Sequence, residues 1–223
     1  MSRVILFSSL FGDYDIARPI TDVGVECVLF SDKPQPSAHG WIVDTAHTQT
    51  VKQYSHPRLK AKYFKMHAAE LFGTSYDVSI YLDASWIVES PFFVKELVEQ
   101  LGDDPIAFFP HRWRNNVKDE LAAHLPIQKY WGLPIERQVA SYFADGFKDD
   151  AGLMEMTCIP ARHNDERVKA FYESWWAENV KWSYADQLSA PYCAWKTGLP
   201  IKYLAQNLDA QKWFRLAAWR ADI

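Results

Sequence analysis

The chain has 223 residues, 48 % of them hydrophobic and 23 % charged, an ordinary globular balance that excludes a disordered, collagen-like or coiled-coil protein. At roughly 150 residues per domain this length predicts one domain, which buries about 70 % of its unfolded surface. With 24 Lys and Arg against 28 Asp and Glu, the formal net charge is −4; the basic excess that counterion release rewards is missing, so nucleic acid is not an expected partner.

The chain opens on MSRVILFSSLFGDYD. Residues 4–7 read as a strand, and the apolar run breaks into Gly and Asp without a small-residue cleavage site, so no signal peptide is predicted. Further strands are expected over 25–30, 78–82, 106–109, 156–159 and 201–204. Several are apolar throughout, as strands buried on both faces are. Helical spacing, with apolar residues three or four apart, covers 58–72 (RLKAKYFKMHAAELF), 92–101 and 166–180. Strands alternating with helices predict an α/β fold. Pro34, Pro36 and Gly40 mark a loop after the second strand, and 112–150 holds helical pieces interrupted by Pro126, Gly132, Pro134 and Gly146. That middle stretch is the expected place for a specificity surface, because loops on a rigid sheet commonly carry function. The tail QKWFRLAAWR is amphipathic and predicts a C-terminal helix over 205–223 packed on the body, with at most peripheral membrane contact.

No apolar run reaches the roughly 18 residues of a membrane span. Cys27, Cys158 and Cys193 are too few and too scattered for a disulfide framework or a four-ligand zinc site. Free buried thiols in a reducing, cytoplasmic compartment are expected. Aromatic residues reach 15 %, with ten Trp; they are chiefly core material, though sugar sites use them as stacking faces.

Several residues could carry chemistry. The strand VSIYLDAS ends abruptly in Asp83, and ligands of open α/β sheets gather at the carboxyl ends of strands. A carboxylate there either holds a divalent cation that neutralises a diphosphate or caps the turn. Arg58, Lys62 and Lys65 stand at i, i+4 and i+7, one stripe of a helix that either binds phosphates or is a solvated face. His111, Arg112 and Arg114 follow the apolar strand IAFFP as Asp83 follows its own. Gly152 and Glu155 precede the strand of TCIPARH and His163 follows it. A glycine there permits close backbone approach to a ligand, and Glu155 is a general base, a sugar-binding group or a structural carboxylate. Asp186 and Gln187 open a predicted helix, where Ser183 and Asp186 also match a capping signal. The chain holds no G-x-G-x-x-G, Walker-type, G-x-S-x-G or H-E-x-x-H motif.

Taken in order, these pieces resemble the glycosyltransferase-like family of plant TOD and mucilage-related proteins and their bacterial relatives, from FGDYD to SYADQLS. A strand leads into F-G-x-Y-D at Phe11, Gly12, Asp13, Tyr14 and Asp15, and a second closes on Asp32. The basic helix pattern falls on Lys62 and Lys65, the hydrophobic-Asp strand end on Asp83, and His-x-x-Arg on His111 and Arg114 with Glu120 downstream. Glu155, His163, Asp186 and Gln187 complete the series.

The resemblance implies a GT-A-like three-layer α/β/α domain with a mostly parallel central sheet, transferring a sugar from a nucleotide-sugar donor to a hydroxyl of a glycan or glycolipid. It implies donor binding around Phe11, Gly12, Asp13, Tyr14, Asp32, Lys62, Lys65, Asp83, His111 and Arg114, with 112–150 as an insertion on the acceptor side. His163 and Gln187 would meet the sugar or acceptor, and Asp186, ahead of Glu155, would be the base of an inverting reaction. Asp83 would be the ligand of any Mn²⁺ or Mg²⁺. Two positions depart from the GT-A pattern: the usual Asp-x-Asp reads Asp83-Ala84-Ser85, and no His follows His163. Both weaken metal binding, and the positive side chains then supply the counter-charge for the leaving diphosphate. Nucleotidyl transfer making a nucleotide sugar, and non-catalytic glycan binding, are the alternatives.

Overall fold

The computed structural model describes residues 2–217. Its first strands follow from uninterrupted apolar runs: β1 (Val4–Leu10), β2 (Glu26–Ser31) and the short β3 (Ile42–Asp44). A 3-10 turn at Ala46–Val51 leads to α1 (Pro57–Met66). The His56 ring caps α1 by accepting from the Arg58 N–H, and Pro57 occupies its first position, where a missing N–H costs nothing. The helix predicted over 58–72 is two: α1 stops at His67, whose backbone leaves the helical region, and α2 (Ala68–Phe72) follows, closed by Gly73. Then come β4 (Val78–Leu82), β5 (Trp86–Val88), α3 (Phe93–Leu101) and β6 (Ala107–Pro110). The middle stretch forms α4 (Val117–His124), a 3-10 turn at Gln128–Tyr130 and α5 (Ile135–Ala144). The chain closes with β7 (Met154–Glu155), β8 (Cys158–Ala161), α6 (Glu166–Lys181), α7 (Asp186–Thr197), β9 (Lys202–Tyr203) and β10 (Phe214–Leu216).

The main sheet runs β3-β2-β1-β4-β8, with the first four strands parallel and β8 antiparallel to β4. Successive side chains of a strand face opposite sides, and the two cores divide accordingly. Phe7 and Tyr81 join the layer of Phe64, Phe171 and Trp175 under α1 and α6, whereas Leu6, Ile80 and Leu82 join Phe93 and Leu97 of α3. Apolar residues on both faces of β1 and β4 thus place helices on both sides of a mostly parallel sheet, as the fold expectation requires. All three cysteines are free and buried. No helix among the described residues is long and apolar enough to cross a membrane.

Two expected elements change. The strand expected over 156–159 starts later, at Cys158, and a separate short strand precedes it, because β7 pairs with β6 while β8 pairs with β4. The helix over 205–223 does not form in its described part: turns lead into β10, which pairs antiparallel with β5. Trp213 and Phe214 are buried in the second core while Leu216 is exposed; residues 218–223 of that expectation lie outside the described residues. Gly152 is also explained otherwise than by a ligand. Its φ is +86°, and a Cβ there would stand 2.6 Å from the Tyr203 hydroxyl, so the close approach is to the protein itself.

Candidate functional site

A cavity of about 220 Å³ opens at the carboxyl ends of β1 and β4. Strand β1 delivers Ser9 and Leu10 and the loop after it Tyr14 and Asp15; α1 delivers Arg58, Lys62 and Lys65 along its stripe; β4 delivers Tyr81 and the loop after it Asp83. Lys129 and Tyr130 come from the middle stretch, Glu155 from β7, Tyr184 from the turn before α7, and Asp186 and Gln187 from its first turn. The loops after the parallel strands β1 and β4 exit at one edge of the sheet, and the residues from α1, the middle stretch, β7 and α7 gather around them.

Its electrostatic centre is a buried lysine pair on one carboxylate. Lys65, with no exposed surface, donates to Asp186 Oδ2 at 2.9 Å and stands 4.0 Å from Asp83. Its ammonium also lies 4.7 Å from the Tyr81 ring and 5.7 Å from that of Trp175. Lys62 bonds the same Asp186 oxygen. Burial alone would raise the Asp186 carboxyl, but the two lysines outweigh it and hold it well below the usual carboxylate range. Burial draws Lys62 down to about 8, against Asp186 and with the repulsion of Lys65. Lys65 stays above its ordinary value although burial opposes it, because it sees two carboxylates. Asp186 is kept in place by the Trp175 indole, which donates to its backbone carbonyl at 3.1 Å. The capping reading of Ser183 and Asp186 is not realised: no side chain caps α7, and the Asp186 carboxylate is committed to lysines. Nor is the α1 stripe a solvated face, since Lys65 is fully buried.

Glu155, 4 % exposed, accepts from Arg112 Nε at 3.0 Å and from Gln187 Nε2 at 3.4 Å. Burial pushes its carboxyl up, against the pull of Arg112. Behind it, His111 and Arg114 are not among the residues lining the cavity. The His111 Nδ1 accepts the backbone N–H groups of Trp113 and Arg114 at 3.2 and 3.1 Å, which leaves Nε2 to face Glu120 at 3.5 Å. Arg114 bonds that same buried Glu120. Together they make the wall behind Glu155, whose Oε1 is 4.0 Å from His111.

The remaining predicted residues lie apart from the cavity. Phe11 is core, stacked on Phe64 at 5.3 Å. The Gly12 N–H, at φ +77°, donates to Asp32 Oδ2 at 3.0 Å, while Asp13 pairs with Lys33. This latch ties the loop after β1 to the end of β2. His163 is buried on the far side, with Nε2 3.1 Å from the Gly73 carbonyl oxygen. Sequence reading passed over Lys129, Tyr130 and Tyr184, whose only sign was their place in or beside an irregular, turn-rich stretch.

The donor set does not suit a carboxylate-held divalent cation. Among the described residues no three His, Cys, Asp or Glu side chains converge as ligands, and the Asp83 carboxylate faces the Lys65 ammonium. Four cationic side chains, Arg58, Lys62, Lys65 and Lys129, line the same space.

No known protein family matches the sequence, and no curated protein of similar sequence is found. Among solved structures the chain is similar to the bifunctional glycosyltransferase WbbM in its apo form, with a TM-score of 0.52 and 10 % identity over 91 % of this chain. Mouse xyloside xylosyltransferase 1, apo form, matches at a TM-score of 0.46 and 8 % identity, over 91 % of this chain and 84 % of that one. The galactosyltransferase LgtC in complex with donor and acceptor sugar analogs matches at 0.44 and 10 %, over 90 % and 72 %. The chain spans 39 % of the length of the WbbM chain. The likeness is one of fold: this mixed α/β structure, with its mostly parallel central sheet, is shared with a glycosyltransferase.

Proposed function

We propose that the protein is a glycosyltransferase that moves a sugar from a nucleotide-sugar donor to a hydroxyl of a glycan or glycolipid acceptor. The observation that carries this reading is the cavity at the β1 and β4 strand ends, where carboxylates and the cation stripe of α1 meet in a fold shared with WbbM. The acceptor oxygen attacks the anomeric carbon, the bond from that carbon to the diphosphate oxygen breaks, and the acceptor proton passes to a carboxylate. Glu155 is the better base of the two candidates. Its raised affinity for a proton favours abstraction, whereas Asp186 is neutralised by Lys62 and Lys65 and serves to fix them. Asp83, beside Lys65, orients the donor sugar.

The test is nucleoside diphosphate release from a panel of UDP-, GDP-, CDP- and ADP-sugars, with and without acceptor glycans, on wild type, Asp83→Asn and Glu155→Gln. Release from one donor, lost in Asp83→Asn and slowed about 10²- to 10⁴-fold in Glu155→Gln, is expected. Pyrophosphate release from a nucleoside triphosphate would instead make the reaction nucleotidyl transfer, and glycan binding indifferent to both substitutions, without turnover, would make the protein a lectin.

A further inference from the structure

We propose that Arg58 and Lys129 form a diphosphate-binding clamp that holds the donor's phosphates directly, with no divalent cation between protein and ligand. The nature of the ligand rests on the transferase reading; the anion site itself does not.

Of the four cations lining the cavity, Lys62 and Lys65 already spend their charge on Asp186. Arg58 and Lys129 have no carboxylate oxygen within 4.0 Å among the described residues. The nearby acids are engaged elsewhere, Asp15 with Arg18 at 3.6 Å and Glu155 with Arg112 at 3.0 Å. Each free cation instead rests on an aromatic face, Arg58 at 4.2 Å from the Tyr14 ring centroid and Lys129 at 4.7 Å from that of Tyr130. An aromatic face attracts a cation without cancelling its charge, so both stay available to an anion.

The two are also held in register although they come from distant parts of the chain. His56, the cap of α1 next to Arg58, stacks on Tyr184 at 4.4 Å. The Tyr184 hydroxyl in turn donates to the Lys129 carbonyl at 2.6 Å. Tyr130, beside Lys129, stacks on the buried His124 at 4.2 Å. Two like charges on one cavity wall, neither in direct contact with a carboxylate although acids line the same space, leave their donors open to an anion, and such a pair favours a multiply charged phosphate. The carboxylate at the strand end faces a lysine, which removes the ligand set a bridging dication would need.

The experiment is calorimetric titration of the intact chain with inorganic pyrophosphate in EDTA, repeated with Mg²⁺ and Mn²⁺, on wild type, Arg58→Gln, Lys129→Gln and the double variant. Saturable binding in EDTA is expected, weakened about tenfold or more by each substitution and abolished in the double variant, with thermal unfolding curves showing all four folded. Binding that requires a divalent ion, or that the substitutions leave as in wild type, overturns the clamp. If pyrophosphate binds through these residues but no sugar nucleotide is turned over, the clamp stands and the transferase reading falls. Turnover that needs a divalent ion and is unaffected in Lys129→Gln has the opposite meaning.

Discussion

Asp186 carries the largest electrostatic load of any side chain in the cavity. It is the counter-charge of an ammonium with no exposed surface at all, Lys65, and breaking a buried pair from one side leaves the other charge stranded. Asp186→Asn should therefore cost about 3 to 5 kcal/mol in urea unfolding at neutral pH; a loss within error would mean that Asp83 and the aromatic faces alone satisfy Lys65. The acid limb follows the same logic. A carboxyl held below its unfolded value near 3.9 stabilises the fold above about pH 4 and loses that contribution as pH falls further, so the Asn variant should show a flatter stability profile below pH 4. His124 acts in a higher window. Burial, then the charge of Lys129, draws its ring down to about 4 although Glu120 Oε1 stands 3.4 Å from Nδ1, and among the described residues neither ring nitrogen makes a hydrogen bond. As pH falls from about 6.5, the unfolded chain takes the proton first and stability drops until pH passes the folded value. His124→Phe, which keeps a ring against Tyr130, should remove about 2 kcal/mol of the stability difference between pH 7 and pH 5. Unchanged urea midpoints across that range in both proteins would show that the histidine is not the acid-sensitive group. Asp83, Lys62, Lys65 and Asp186 were legible in the sequence because strand ends and a helix stripe have a fixed geometry. Lys129 was not, since a 3-10 turn between proline and glycine has no period to read.

Local spacing foretold the central elements and failed where tertiary pairing decides. β4 was expected to the residue, because five consecutive apolar or small positions buried on both faces leave only one reading. The helix break at His67 had no breaker residue to signal it. β7 and β8 belong to different sheets although two residues separate them, a distinction carried by partners elsewhere in the chain. The tail was misjudged for a similar reason: its amphipathic spacing fits a helix, but the open edge of β5 claims it as a strand. Gly152 sits at the mouth of the β6–β7 hairpin-like pair, in a backbone conformation an L side chain seldom takes. Gly152→Ala should cost about 1 to 3 kcal/mol through backbone strain and displace the Tyr203 ring, detectable as a lowered melting temperature and a changed tyrosine environment. An unchanged melting temperature would show that the loop relaxes freely.

At the scale of the molecule, the sheet divides labour between its two faces. On one face α1 and the start of α7 line the cavity, with α6 packed behind them, while on the other α3 and β10 hold the β4 to β5 segment from behind. The exposed Trp113 and Trp131, 67 % and 65 % exposed, both belong to the middle stretch that also sends Lys129 and Tyr130 into the cavity. That stretch packs on α7 through α4 and α5, so any ligand resting on it would bear on the helix that carries Asp186 and Gln187.

The pairing of β10 with β5 reaches further than packing. The Ala217 N–H donates to the Ser85 carbonyl at 3.2 Å, so the segment that holds Asp83 gains its lateral support from residues far downstream. A ribosome-bound chain that has emerged only as far as α7 already possesses every side chain of the cavity, yet the strap behind Asp83 is still inside the exit tunnel. Completion of the cavity would then be a late event of biosynthesis, arriving as β10 docks, well after the parallel sheet has formed.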